Sequence, residues 1–327
     1  MPGLFVISLD FELHWGVFDK RDRESRMPCY ASMAEVVPAV LTMFSRYNIS
    51  ATWATVGSLF LDDEEEWARF APTSQPQYKD QKYSSYSFAR QYGLSGENRT
   101  AHFAPHQVKM IAETPGQEIA THTFSHYYCL EKGQTVEQFE EDLKAAQKVA
   151  LAKIGKQLSS LVFPRNQYNP EYLLACARNG IKAVRTNPDN WFWTSIGNDD
   201  TSFVRRLFRT GDVFVPLGAK STFPIGQVKQ LSAEMPVCIP ASRLLRQYDP
   251  SLPAMNRIRL KRIMNEMTYA AQHNECFHLW WHPENFGFHP SESLVELDRI
   301  LQHFHTLQEQ CGFQSKTMAE VAKLCLA

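Results

Sequence analysis

The sequence predicts an α/β protein whose parallel sheet closes as a barrel, and three observations carry that prediction. Short apolar runs alternate with amphipathic segments of helical period along most of the chain. Several of the helical segments begin and end on capping residues. The polar residues best suited to chemistry fall just past the carboxyl ends of the expected strands, where α/β barrels place their active sites. At 327 residues the chain can hold one large barrel or two smaller domains; the alternation on both sides of two expected insertions favours a single domain over 1–327.

The elements follow in order. Phe5 to Leu9 reads as a buried strand. Ser32, with Glu35 three residues on, resembles a capping box opening an amphipathic helix through Phe44, with Pro38 inside it as a kink or a later start. Ala51 to Val56 is the next strand. Residues 62–115 break the rhythm with a run of five acids, a Tyr/Ser/Gln-rich stretch and Pro105, and are expected to be an insertion or lid outside the core. Glu118 to Thr121 is a strand that ends on His122. Thr135 and Gln138 predict the start of a helix with Phe139, Leu143, Ala146 and Val149 on one face and Gly155 at its end. Ser160 to Phe163 and Ile181 to Val184 are strands around a helix opened by Asn169-Pro170 and closed by Gly180. Residues 195–260 give no clear pattern and are expected to hold a second insertion. Cys276 to Trp281 is the last strand, followed by a long amphipathic helix carrying Leu294, Leu297, Leu301 and Phe304.

Composition narrows the class. A net charge of -1 gives no electrostatic reason to expect nucleic acid or an anionic membrane as partner. Seven scattered cysteines with no CxxC pair read as free thiols of a reducing compartment. The chain enters a strand at once, and no apolar run approaches the roughly 18 residues of a membrane span. The expectation is a cytoplasmic protein.

Three islands carry the chemistry: Asp10-Phe11-Glu12, His122-Thr123-Phe124-Ser125-His126 and His282-Pro283-Glu284. Histidines four apart can face one cation from a single helical turn or a tight loop, and one carboxylate would complete a site with room for water. An acidic pair beside a strand end is otherwise a common helix cap, and a histidine before proline a common core residue. Order and position along the chain give these residues their weight.

In that order the islands resemble the motifs of the polysaccharide deacetylase family, the NodB-homology domain. Ser8-Leu9-Asp10-Phe11-Glu12 is similar to the first motif, His122 to His126 to the second, and Phe163-Pro164-Arg165-Asn166-Gln167-Tyr168 to the third. Trp191 stands near the tryptophan of the fourth, and Leu279-Trp280-Trp281-His282 resembles the fifth. The resemblance covers 4–19, 118–193 and 276–290. It departs where an adjacent acid pair becomes Asp10-x-Glu12 and where two prolines after the arginine become Asn166-Gln167. It implies an irregular (β/α) barrel of about seven strands. It also implies a divalent metal, with zinc favoured by the nitrogen-rich ligands, held by Glu12, His122 and His126. Asp10 would be the base, Arg165 the cation that keeps Asp10 ionised and oriented, and His282 the acid. The backbone at Tyr168 would help bind the oxyanion.

Further candidates for the pocket are His14, which directly follows the acids, and Trp191, Trp193, Trp280 and Trp281, one or two of which could stack on a sugar. His278 shares a strand face with Trp280 and His282 and could support them from behind. The implied activity is removal of an N-acetyl group from a sugar, a precursor of a bacterial surface polysaccharide. The alternatives are an amidohydrolase acting on a small ureide or cyclic imide, and a non-catalytic carbohydrate-binding relative.

Overall fold

The computed structural model describes every residue except 21, 189, 196, 198–201, 219, 231 and 327. Its strands are β1 (Leu4–Phe11), β2 (Ala51–Thr55), β3 (Gln117–Thr121), β4 (Ser160–Val162), β5 (Ala183–Thr186), β6 (Phe223–Pro224), β7 (Lys229–Gln230), β8 (Val237–Pro240), β9 (Arg243–Leu244), β10 (Glu275–Trp281) and β11 (Gln314–Lys316). The helices are α1 (Met27–Ala31), α2 (Met33–Arg46), α3 (Glu64–Phe70), α4 (Ser85–Tyr92), α5 (Arg99–His102), α6 (Pro105–Glu113), α7 (Val136–Ile154), α8 (Pro170–Arg178), α9 (Phe203–Gly211), α10 (Pro253–His273), α11 (Pro290–Cys311) and α12 (Met318–Leu326).

One sheet runs β10-β1-β2-β3-β4-β5-β8 with every pairing parallel; β6 and β7 add antiparallel edges to β10 and β8. The sheet curls until its ends meet at residues 240–243. There Ala241 N–H donates to Thr186 O on β5, Ser242 N–H donates to His278 O on β10, and β9 pairs with β10. The result is an irregular α/β barrel. All eight residues of β1 are buried, because helices cover one face of the sheet and the barrel interior the other. The main core packs Phe5, Ile7, Leu9 and Trp53 against Val37 and Phe44 of α2 and Ile300 and Phe304 of α11.

Local signals hold where their hydrogen bonds are made. Thr135 and Gln138 form a reciprocal capping box on α7, and Gly155 ends that helix at φ 67. Asn169 accepts from the N–H groups of Glu171 and Tyr172 at the start of α8. Ser32 does not cap α2: it has helical φ/ψ, and its hydroxyl bonds back to Cys29 O, so α1 and α2 abut. Pro38 lies inside α2.

Two boundaries are corrected by packing. Residues 62–115 separate β2 from β3, yet Trp67, Tyr86, Leu94 and Phe103 are buried in the main core, and Trp67 stacks on Trp15 at 6.2 Å. The run of acids supplies the cap Asp63 and the half-exposed first turn of α3, while the aromatics behind it pack inward. Within 195–260, whose residues 196, 198–201, 219 and 231 lie outside the described part, β8 and β9 belong to the barrel wall and α10 begins at Pro253. Short strands interrupted by Pro236 and Pro240 hide the period-two pattern there. The stretch Glu24–Arg46 is long and apolar enough to cross a membrane by composition, contrary to expectation. In the fold Val36, Val37, Val40 and Phe44 are fully buried against the core.

Candidate active site

The strand ends bring the islands together. Asp10 is on β1 and Glu12 is one residue beyond it, while His122 follows β3 and His282 follows β10. Glu12 Oε2 lies 3.1 Å from His122 Nε2 and 3.0 Å from His126 Nε2. His282 Nε2 lies 3.4 Å from the other Glu12 oxygen and 3.9 Å from Asp10 Oδ2. Asp10, Glu12, His122 and His126 are buried; the His282 side chain, 25% exposed, reaches a cavity of about 330 Å³ that it shares with Leu244, Leu245 and Asn285.

The histidine clamp is a tight loop and not a helical turn. Thr123 and His126 have φ of 64° and 59°, and Leu13, Arg165 and Asn166 of neighbouring site loops are also positive. Five of the seven non-glycine residues with positive φ among the described residues therefore sit in loops around one site. Such conformations persist only where the surroundings enforce them. Asp142 on α7 does so here. Its carboxylate accepts from Phe124 N at 2.7 Å, from Ser125 N at 3.3 Å and from the Ser125 hydroxyl. Burial raises its pKa to about 6 against the pull of those bonds.

The donor set fits a cation. His122 Nδ1 is 2.8 Å from Val162 O, which can only accept, so the proton is on Nδ1 and the Nε2 lone pair faces the Glu12 carboxylate. Burial, partly offset by Glu12, lowers the His126 pKa to about 4, so that ring is neutral. Glu12, His122 and His126 each offer one ligand atom within 4.8 Å of the others, close enough for a single cation to join them. Burial pushes the Glu12 carboxyl up, but the neighbouring His282, His122 and His126 outweigh it and hold the carboxyl well below the usual range. Gly16 makes this placement possible. A Cβ there would lie 1.7 Å from Glu12 Oε1.

The partner of Asp10 is not Arg165. Arg185 of β5 holds it in a two-pronged bridge, Nη1 to Oδ1 at 2.6 Å and Nη2 to Oδ2 at 2.7 Å. Burial would raise the Asp10 pKa, and the guanidinium outweighs it and keeps the carboxyl ionised below the usual range. Arg165 instead pairs with Asp19 and stacks on Tyr128 at 4.2 Å. Arg165 and Asn166 both have positive φ, and it is Asn166 that takes the inner position, accepting from Arg185 at 3.1 Å. Behind the pair, Arg185 also donates to Ser8 Oγ at 3.0 Å, and Ser8 donates to His278 Nε2 at 2.8 Å. His278 Nδ1 donates to Pro240 O at 3.0 Å. Its pKa is lowered to about 3 by burial and the nearby arginine, as that neutral tautomer requires. No motif pointed to Arg185, although an arginine in a strand otherwise of Ala, Val and Thr is an unusual burial. Glu284 is a further buried carboxyl beside the site. Burial and the charge of Glu12 push its pKa well up, and its Oε2 has no hydrogen-bond partner among the described residues.

The remaining candidates separate. His14 does not line the pocket: the 3₁₀ turn Leu13–Gly16 carries it into the aromatic layer, where Nδ1 meets Tyr30 Oη at 3.0 Å and the ring packs on Phe88 and His102. Trp280 has one face covered by Arg185 at 4.3 Å and makes a T-shaped contact with His282 at 5.6 Å. Tyr168 stacks on Phe163, and its hydroxyl accepts from Asn187 N at 3.4 Å. Trp191 is exposed and packs on Phe208 of α9, outside the contacts of the carboxylates. Trp193 lines a small cleft with Asn166, Asn187 and Trp280.

Residues 18–184 match the sequence profile described as polysaccharide deacetylase, just over half of the chain. The chain belongs to the polysaccharide deacetylase family. The matched segment contains the histidine clamp, Asp142 and Arg165, while Asp10, Glu12, Arg185 and His282 of this family member lie outside it. No curated protein matches the chain. Among solved structures, a candidate polysaccharide deacetylase from Mycobacterium smegmatis is 12% identical with a TM-score of 0.61, over 99% of this chain and 90% of that one. An α-amylase from Thermotoga maritima is 12% identical with a TM-score of 0.57, over 99% and 75%, and a GH57-type branching enzyme from Pyrococcus horikoshii is 11% identical with 0.52, over 98% and 69%. At these identities the likeness is one of fold.

Proposed function

We propose that the chain is a metal-dependent hydrolase that removes an N-acetyl group from a sugar, as its family membership and the geometry around Asp10 support. One observation carries the reading: an ionised, doubly anchored carboxylate stands beside a two-histidine, one-carboxylate donor set, with a part-exposed histidine opposite. A divalent ion on Glu12, His122 and His126 would supply Lewis acidity, and the nitrogen-rich donors favour zinc. Asp10 takes the proton of the attacking water; with both oxygens tied to Arg185 it stays ionised and cannot swing away. His282 donates a proton to the departing nitrogen, a task suited to an imidazole at the cavity edge. The seven free thiols suit a reducing compartment and hence a cytoplasmic sugar precursor of a surface polysaccharide.

The test is to incubate zinc-loaded protein with N-acetyl sugars, nucleotide-linked N-acetyl sugars and small ureides, measuring acetate and ammonia. Acetate release that chelation abolishes supports the reading. Ammonia from a ureide without acetate from any sugar would replace it with the amidohydrolase, and no product from metal-replete protein would point to a binding relative.

A further inference from the structure

The helix α9 has its polarity inverted. Phe203, Val204 and Leu207 are 78%, 51% and 57% exposed, while Arg205 and Arg209 turn toward the protein. Arg209 donates to Phe192 O at 2.6 Å and lies over the Trp193 ring at 5.1 Å, and Arg205 lies over Trp191 at 5.9 Å. Phe208 packs on Trp191 and Phe192 at 5.1 and 5.8 Å. The loop after the helix adds exposed Val215 and Leu217, and Leu217 folds back against Gly211. An isolated exposed leucine needs no explanation, but a helix that presents its apolar face to water does.

Charge names the occupant. The segment 202–211 carries Arg205, Arg206 and Arg209 and no acid. Of the acids nearest in sequence, Asp212 is committed to Arg243 and Arg262, and Asp199 and Asp200 lie outside the described residues. Arg205 and Arg209 are engaged on the tryptophans beneath, and Arg206 stays exposed beside the apolar face. Apolar side chains bordered by an exposed arginine, with no acid on the helix, suit a bilayer with anionic headgroups, the apolar groups entering the acyl boundary and the cation staying at headgroup level. A net charge of -1 for the whole chain conceals this local balance.

Position connects the face with the site. Trp193, under Arg209, shares a cleft with Asn166 and Trp280, both of which touch Arg185. We infer that α9 docks the protein on an anionic lipid surface with the mouth of the site beside the bilayer. On the deacetylase reading given above, on which this last step rests, the sugar within reach is one carried on a lipid.

Flotation of the full chain with vesicles of phosphatidylglycerol and phosphatidylcholine, against vesicles of phosphatidylcholine alone, tests the docking without any enzymatic readout. The anionic vesicles should bind at least about ten-fold more protein, less so at high salt. Phe203→Ser with Leu207→Ser should cut that binding about ten-fold, and Arg206→Glu should weaken it, with metal content and turnover of a water-soluble substrate unchanged. Absence of binding to anionic vesicles, or binding indifferent to both variants, would overturn the inference. So would a dimer in light scattering that the double variant abolishes, which would assign the face to a second copy of the chain. Vesicle binding by a protein without deacetylase activity would uphold the docking and remove only the lipid-carried sugar.

Discussion

At the residue scale the site turns on one buried ion pair and one missing side chain. Asp10 and Arg185 are both buried, and each compensates the desolvation of the other through two hydrogen bonds. Arg185→Met should release the Asp10 pKa upward, since the guanidinium is what holds it down against burial. The acid limb of the kcat/KM profile should then move to higher pH and turnover fall by ~100-fold, on the scale of a misplaced general base. Arg165→Met, which unpairs Asp19 instead, should leave that limb in place; a shift in the Arg165 variant alone would return the supporting role to the third motif. Gly16→Ala makes a second demand. Its methyl group would occupy the space of the Glu12 carboxylate, so the variant should lose metal, measured by elemental analysis, while its circular dichroism stays native. Full metal content would show that Glu12 is not a ligand. Exchange of the acids separates their roles: Asp10→Asn should keep the metal and lose turnover, and Glu12→Ala should empty the site.

At the scale of elements, the loop 122–126 depends on α7. Two backbone N–H groups and the Ser125 hydroxyl point at Asp142, and the loop holds two left-handed residues in place through them. Asp142→Ala leaves those donors buried and unpaired, at a cost of about 1–3 kcal/mol. It should also weaken zinc about 10- to 100-fold, the usual scale for a group that orients a metal ligand. Denaturant unfolding and a competitive chelator titration measure the two effects; wild-type zinc affinity in a destabilised variant would confine Asp142 to the fold. Asp142→Asn keeps one acceptor oxygen and should fall between.

For the molecule as a whole, buried neutral histidines set the response to acid. Burial lowers His14 to about 4 and His102 and His278 to about 3. Their folded pKa values lie below that of the unfolded chain, so the stability they confer is complete above about pH 6.5 and is lost as pH falls toward 4 and 3. At pH 5 each would contribute a loss of up to about 2 kcal/mol. Asp142 acts in the opposite sense, because a raised acid pKa favours the folded state as pH falls below about 6. The histidine contribution is therefore best isolated with His102→Phe, whose ring joins Trp15 and Phe88. Its loss of stability between pH 7.5 and pH 5 should be smaller than that of the wild type by about 2 kcal/mol. Equal losses would mean that His102 is not kept neutral by the fold.

Much of this was determined by the sequence alone. Alternating strands and helices, the Thr135-Gln138 cap, the clamp His122-His126 and the succession of Asp10, Glu12 and His282 at strand ends are local patterns, and local backbone geometry turns them directly into structure. What only the tertiary structure decided are the partners. Arg185 reaches Asp10 across 175 residues, and nothing near either residue in sequence marks the pairing. Arg165 pairs with Asp19 and not with Asp10, and His14 packs inward against Tyr30. The aromatics of 62–115 join the core although their composition reads as a loop, and α9 turns its apolar face outward although its periodicity alone would bury it. Pattern fixes which residues share a face; which surface that face meets depends on the closure of the barrel, which brings distant strands side by side.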